Sequence, residues 1–328
     1  MSALYSRLYY SQKWRELHED IDAGRSMLFT HKDQNGKIVY PLVIRPIEME
    51  IDNAKYYDIA TPKGYSGPTI LHSAENKKSN LLKAYKNSFA LFCKKNNIVC
   101  EFVRFNPWLK NHEYFNDDYE STYLGQVFGM DLSVNDIFID EITSRVRRNI
   151  RKAKKLGVEL KYDFVGTSLN EFHKMYQYTI EKNNITEYYQ LSIDQFKKYF
   201  KELMGRVFLL NAYFEGRVIT SCLFTEDGEF IHYNYSASDP EFYYLQANSL
   251  IIYEACIKGK NDKKKLMDLG GANNDNLRKF KTGFSKKGTA FDCYIGKRIR
   301  DEVVYDKLVN KLGKHNNYFP EYRDEIGR

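Results

Sequence analysis

A chain of 328 residues is long enough for about two domains, each with its own core. Aromatic content of 15% excludes general disorder, and no apolar run approaches the roughly 18 residues of a membrane-spanning helix. Net charge is +7, yet three stretches (141–160, 258–265 and 278–300) hold +16 between them, leaving −9 for the rest. The positive charge is local, which points to an anionic partner with a defined docking place. Five scattered cysteines without a Cys-x-x-Cys pair argue against a disulfide scaffold or a cysteine-rich zinc site. The N-terminal stretch lacks the apolar centre of a signal peptide, so a reducing cytoplasm is the expected setting.

In chain order, Ser26–His31 and Ile38–Ile44 flank Asp33-Gln-Asn-Gly36, a hairpin with an Asn-Gly turn. Tyr56–Ala60 reads as a third strand. A Pro/Gly loop follows, then a long helix over Asn80–Lys95 and a strand over Ile98–Phe105. The basic segment 141–157 reads as a helix stopped by Gly157. Ser168-Leu-Asn-Glu171 and Ser192-Ile-Asp-Gln195 each fit a capping box and open two helices. Arg206–Phe214, Arg217–Phe224 and Glu229–Ser236 form an antiparallel meander joined by Glu-Gly and Glu-Asp-Gly turns. A helix over Ala247–Lys258, a strand over Leu266–Leu269, a helix over Asp275–Thr282 and a strand over Thr289–Tyr294 complete the order. The tail, 301–328, reads as helical and then irregular. Hairpin, strand, loop, helix and strand thus occur twice. The pattern predicts a duplicated mixed α/β (α+β) layer fold with largely antiparallel sheets flanked by helices. The expected domains are 1–155 and 156–300.

Four segments carry candidate chemistry. Thr61-Pro-Lys-Gly-Tyr-Ser-Gly-Pro68 follows a strand with a tight turn that brings bare backbone toward a ligand; the plain alternative is a connection. Arg145–Lys155 holds seven basic residues in eleven and no acid. On a helix, Val146, Ile150 and Ala153 share one face, and Arg147, Arg148, Arg151 and Lys152 crowd the remainder. That is a phosphate-binding stripe or, on the plain reading, a solvated face. In the third, Leu269–Phe284, a strand ends in Gly270-Gly271 and a helix follows, a junction that aims N–H groups at an anion. Lys281 lies in that helix beside Phe280, where a cation can stabilise an oxyanion. In the fourth, Phe230–Ser238, strict alternation puts His232, Asn234 and Ser236 on one face and Tyr233 and Tyr235 on the other. A lone strand histidine is more often simply hydrogen-bonded. No HExxH, GxSxG or GxxxxGK[ST] motif is present, and no metal site is expected.

These segments together resemble the Fem-type (FemABX) aminoacyltransferases of peptidoglycan bridges. The resemblance rests on "LGG…N-L-x-x-F-K-x-x-F" at Leu269–Phe284 and on "S-x-x-R-R-N-I-R-K-A-x-x-x-G-V" at Ser144–Val158. The Pro-Lys-Gly-Tyr-Ser-Gly-Pro loop and R-F-x-P at Arg104–Pro107 add to it, in the family's order across 56–295. It implies two tandem GNAT-like domains, with the C-terminal helix of 301–328 packing on the first. It implies transfer of an amino acid from aminoacyl-tRNA to an amine of a cell-wall precursor, nucleotide- or lipid-linked, with no separate cofactor. Peripheral contact with the inner membrane face follows for a lipid-linked acceptor.

By the same resemblance, Lys281 and Phe280 belong to the aminoacyl-tRNA site, and Lys182 contacts acceptor-stem phosphates. Tyr235 lines the cleft. Arg104, Gly64, Tyr65, Gly67, Gly270 and Gly271 bind substrate, and Arg147, Arg148, Arg151 and Lys152 bind phosphate. Asn106 stands where some members carry an acid proposed as base, and an asparagine cannot take that proton. The stretch Tyr244-Leu-Gln-Ala-Asn-Ser249 lacks the glycines that hold coenzyme A in acyl-CoA GNAT enzymes. The alternative remains an acyl-CoA-dependent N-acyltransferase acting on an amino sugar or lipid-linked glycan.

Overall fold

The computed structural model describes residues 7–183, 190–314 and 318–323. The first half runs α1 (Gln12–Leu17), β1 (Arg25–Asp33), β2 (Gly36–Pro46), β3 (Tyr57–Ala60), β4 (Thr69–Ser73), α2 (Lys78–Lys95), β5 (Ile98–Arg104), α3 (His112–Phe115) and β6 (Glu120–Asp131). The second half opens with α4 (Ile137–Asp140), α5 (Ser144–Lys155), β7 (Glu159–Asp163), α6 (Leu169–Asn183) and α7 (Ile193–Glu202). It continues with the meander β8 (Val207–Phe214), β9 (Arg217–Glu226) and β10 (Phe230–Ser238). Helix α8 (Ala247–Asn261), β11 (Leu266–Gly271), α9 (Asp275–Thr282), β12 (Ala290–Ile299) and α10 (Glu302–Leu312) finish the chain's regular elements.

The chain divides into two compact units. One holds Tyr9–Leu124 and the chain from Asp292 onward; the other holds Gly125–Phe291 with Arg7 and Leu8. The division therefore falls at Leu124/Gly125 and not at 155. The reason is α5: its apolar stripe Val146, Ile150, Ala153 is buried in the core of the second unit, with Phe208, Leu250 and Ile251. Burying a side chain of Val or Ile size contributes about 1.5–3 kcal/mol, so the helix goes with the unit that covers its stripe.

In the first unit the strands lie in the order β1-β2-β3-β5-β12, with β4 on β2. The hairpin closes where Asp33 pairs Gly36, as the Asn-Gly turn predicts. Helix α2 presents Leu81, Tyr85, Phe89 and Cys93, one every turn, to Ile38, Tyr40 and Ile59. β3 and β5 are parallel, joined through α2. Helix α10 buries Val304, Tyr305 and Leu308 against Ile47, Ile51, Val99 and Cys100 of this unit. Arg323 then clamps Asp58 at 2.6 Å. The irregular tail read from the sequence falls partly on 315–317 and 324–328, outside the described residues.

In the second unit the order is β6-β11-β10-β9-β8-β7. β10 and β11 are parallel, joined through α8, and the other pairs are antiparallel. The order strand, antiparallel strand, long helix, parallel strand is thus common to both units. Ser192 and Gln195 make the expected reciprocal cap of α7. Ser168 is used differently: its hydroxyl donates to Asp163 at 2.7 Å and accepts from Asn211.

Candidate active site

The parallel ladder between β10 and β11 has three rungs, ending at His232–Asp268. Beyond it β10 stays with β9, and β11 stays with β6 through Gly271–Val127. Where the two strands part company, the end of β11 is free to shape a site. Its register slips between Asp268 and Gly270, a bulge that accommodates Gly270 at φ +72°. Asp268 Oδ1 accepts the Gly270 N–H at 2.8 Å and fixes the turn.

Helix α9 delivers the cation. Asn274 caps its start by accepting the Leu277 N–H, and its end is tied by Arg145, which donates to the Lys279 carbonyl, and by Thr143, which donates to that of Gly283. So held, Lys281 is buried, and its Nζ donates to the Gly271 carbonyl at 2.5 Å. Burial lowers its pKa to about 8 against the opposing pull of Asp268. At neutral pH the amine remains mostly charged, a cation in a partly dry place. A Cβ at residue 270 would stand 3.3 Å from Nζ, so a glycine there leaves the amine room.

Gly270, Gly271 and Lys281 are therefore brought together. Phe280 is next in sequence but turns inward, ring against Phe284 at 5.3 Å. Tyr235 is buried among Tyr176, Phe196 and Tyr199, its hydroxyl 3.2 Å from that of Tyr199. This departs from strict alternation. Asn234 is an extra residue between the β9 pairings of Tyr233 and Tyr235, so Tyr233 reaches Asn248 on α8 while Tyr235 faces α6 and α7. Lys182, on α6, is exposed, its amine 4.9 Å from the centre of the Tyr243 ring.

The basic stretches separate by use. On α5, Arg148, Arg151 and Lys152 are exposed. Arg147 is not a free member of the stripe: its guanidinium donates to the carbonyls of Ile139 and Ile142 and to Ser144 Oγ, closing the end of α4. In 258–265 four of the five lysines are engaged within the unit. Lys258 pairs with Glu226 and Asp262, Lys264 with Glu226, Lys265 with Glu229, and Lys260 donates to main-chain carbonyls. In the third stretch, Arg300 serves Glu101 and Asp118.

The candidates of the first unit lie on a different kind of site. Loop 61–68 closes over the end of β5. Thr61 N–H donates to the Phe102 carbonyl, Ser66 N–H to that of Arg104, and Arg104 N–H to Thr61 Oγ1. Asn106 is buried, donating to the Tyr65 carbonyl at 3.0 Å and accepting the Trp108 and Leu109 N–H groups. It is a brace, with its amide committed to the main chain. Asn111 donates to the carbonyls of Ser66 and Pro68, and Tyr10 to that of Ser66. Gly64, at φ +107°, has no room for a side chain, since a Cβ would meet the Tyr9 ring at 2.5 Å. Tyr65 packs its ring edge-on to Tyr9 and Trp108. Gly67 turns the loop at φ +79°.

Sequence reasoning missed Asp268 as a functional partner. The signal was present: a single acid in the apolar strand Leu-Met-Asp-Leu requires a buried partner. Parallel pairing supplies His232, whose Nδ1 is 2.9 Å from Asp268 Oδ2. Among the described residues no cluster of His, Cys, Asp or Glu is built to hold a metal, and no helix is long and apolar enough to cross a membrane.

Comparison with known proteins bears on the fold. Residues 142–282 match the model of the acetyltransferase (GNAT) domain. Among solved structures, FemX superimposes with a TM-score of 0.67 at 15% identity, over 90% of this chain and 93% of that one. The C-terminal domain of a putative lysylphosphatidylglycerol synthetase from Agrobacterium fabrum gives 0.55 at 10% identity, over 90% and 95%. A tandem GNAT protein from the clavulanic acid biosynthesis pathway gives 0.51 at 9%, over 92% and 97%. Among the curated proteins none matches in sequence. These likenesses show the fold, two tandem GNAT-like domains arranged as in FemX, with the GNAT domain model matching within the second unit.

Proposed function

We propose that the chain transfers an aminoacyl group from aminoacyl-tRNA to an amine of a cell-envelope precursor, nucleotide- or lipid-linked. The observation that carries this reading is the buried Lys281 ammonium beside Gly270-Gly271, at the opening of the parallel pair. In the transfer the acceptor amine attacks the ester carbonyl, a C–N bond forms, and the C–O bond to the tRNA ribose breaks. Lys281 faces the oxyanion that develops in between. The amine proton ends on the departing ribose oxygen. With Asn106 committed to the main chain, no side chain of this protein is assigned as base, and the substrates pass the proton between themselves.

Two features support tRNA as donor. Stretch 244–249 has no glycine, and Ala247 and Ser249 carry buried side chains at the start of α8 where a glycine-rich turn would expose backbone to a diphosphate. Exposed Arg148, Arg151 and Lys152 form a stripe suited to a nucleic-acid backbone, and Lys182 adds a further exposed cation. In this reading the protein works in the cytoplasm, at the inner membrane face when the acceptor is lipid-linked.

The acyl-CoA reading is kept for one reason: the matched domain model is that of an acetyltransferase. One experiment separates the two. The purified protein is given an envelope-precursor extract with either bulk tRNA charged with labelled amino acids or labelled acetyl-CoA. Transfer abolished by ribonuclease is the expected result. Undiminished transfer from acetyl-CoA without tRNA overturns the donor assignment.

A further inference from the structure

Beneath Lys281 lies a row of buried ionisable groups that the transfer reaction does not itself use. Asp227 sits in the turn before β10, His232 on β10 and Asp268 on β11. His232 Nδ1 is 2.9 Å from Asp268 Oδ2, and Nε2 is 3.6 Å from Asp227 Oδ2, with side-chain exposures of 1%, 5% and 2% for His232, Asp268 and Asp227. The far end is anchored to the main chain. Asp227 accepts the N–H groups of Leu8, Glu229 and Phe230, and Lys264 donates to its carbonyl. The near end is anchored to the site. The second oxygen of Asp268 holds the Gly270 N–H, and the next carbonyl, that of Gly271, receives the Lys281 amine.

Buried charges of this kind are weak stabilisers compared with apolar side chains of similar volume. Their arrangement here does something an apolar filler cannot. It hands one carboxylate, in one orientation, to the turn that holds the amine.

We propose that His232 and Asp268 are positioning residues for Lys281. Asp268, oriented by the His232 ring, fixes the Gly270-Gly271 turn and sets the place and the field of the Lys281 amine; neither residue touches substrate. The consequence for transfer rests on the reading of Lys281 given above, but the device is read directly on the amine, without turnover. Failure of the acyl-transfer reading therefore leaves the test intact.

The full chain is prepared with ¹³C at lysine Cε, and the Lys281 signal is identified by its loss in Lys281→Arg. Its titration is then compared in the wild type, Asp268→Asn and His232→Gln. The groups facing it are Asp268 directly and, behind that, the His232–Asp227 pair; both burial and Asp268 bear on the amine. Removing the carboxylate charge in Asp268→Asn lowers the midpoint by about one pH unit. Removing the opposing imidazolium in His232→Gln frees Asp268 to act on the amine and raises the midpoint. A merely structural role would admit water in both variants and move both midpoints upward, toward the ordinary lysine value. Shifts in the same direction, or none, overturn the proposal. If neither variant folds, the wild type decides. The Lys281 signal must then carry a second inflection where the ¹⁵N signals of His232 titrate, and its absence overturns the proposal.

Discussion

β3 with β5 and β10 with β11 are the same construction, a parallel pair joined through a long helix, but their outer ends are finished differently. In the first unit the loop 61–68 runs across the end of β5 and is sewn down by Thr61, Asn106, Asn111 and Tyr10, all neutral. In the second, the ladder stops at His232–Asp268 and the end of β11 carries Lys281, with charges in buried positions. The difference teaches how to separate a brace from a reactive group within one fold. A brace saturates main-chain N–H and carbonyl groups with neutral partners, which lowers the desolvation cost. The end of β11 instead holds an amine on a main-chain carbonyl beside a buried carboxylate, an arrangement that can face a developing negative charge.

The largest expected effect tests the open end. Lys281→Ala should lower turnover by about 100-fold or more, the range for removing one oxyanion partner, with the fold retained by circular dichroism. Normal turnover would end the assignment. Because the amine titrates near 8, turnover should also fall as pH rises past that value. The sealed end should answer in stability instead. Asn106→Ala strands the N–H groups of Trp108 and Leu109 and the carbonyl of Tyr65, at a cost of about 1–3 kcal/mol in urea unfolding. A loss of turnover at unchanged stability would mean that Asn106 acts in the chemistry and that the contrast is wrong.

Much of this contrast was legible in the residues, though unevenly. The meander and α9 follow from local signals, since turn residues and alternation act within a few positions. β4, β6 and β7 were not read. Glu120–Leu124 is exposed and mixed in polarity, so β6 shows no alternation at its start. Glu159–Asp163 and Thr69–Ser73 are five residues each, too short for periodicity to stand out. The bulge at Asn234 separated the two tyrosines, expected on one face, onto different faces, because a one-residue insertion leaves no mark in composition. The His232–Asp268 pair needs the parallel register, and Asn106 needs the loop it braces; both join segments distant in the chain. The basic stretch 258–265 looked like a docking surface, but the acids that pair with three of its lysines include Glu226 and Glu229, which come from another strand and its turn.

A middle-sized effect separates the two ends by pH. His232 is held at about 9: burial works to lower it, and the bonds to Asp227 and Asp268 outweigh that. Its contribution is therefore complete below about 6.5 and is lost as pH rises toward 9. The slope is at most about 1.4 kcal/mol per pH unit. Lys63, in the sealing loop, is lowered to about 7 by burial, with Asp22 opposing and Arg104 adding to it. The cost of burying its charged form is relieved as pH rises from about 7 to 10.5. Between pH 6.5 and 8 the strands β10 and β11 should lose hydrogen-exchange protection, corrected for intrinsic rate, while loop 61–68 gains it. His232→Gln should flatten the first trend and Lys63→Met the second. Parallel trends in both units would break the distinction.

The smallest effect concerns charge that is spent against charge that is available. Arg148 and Lys152 are exposed on α5, whereas Lys258 and Lys264 are engaged by acids of their own unit. Replacing Arg148 and Lys152 by Gln should leave unfolding within about 0.5 kcal/mol of the wild type. It should make the dependence of log K on log salt for tRNA binding shallower, by about one in slope for each phosphate no longer neutralised. Replacing Lys258 and Lys264 by Met should do the reverse, leaving the slope intact and lowering stability, since Glu226 is deprived of both partners. The reason is counterion release. A lysine already neutralised by a carboxylate displaces little from the nucleic acid that its partner did not already balance. If the α5 variant keeps the wild-type slope, the exposed stripe is a solvated helix face and its assignment to a phosphate backbone falls.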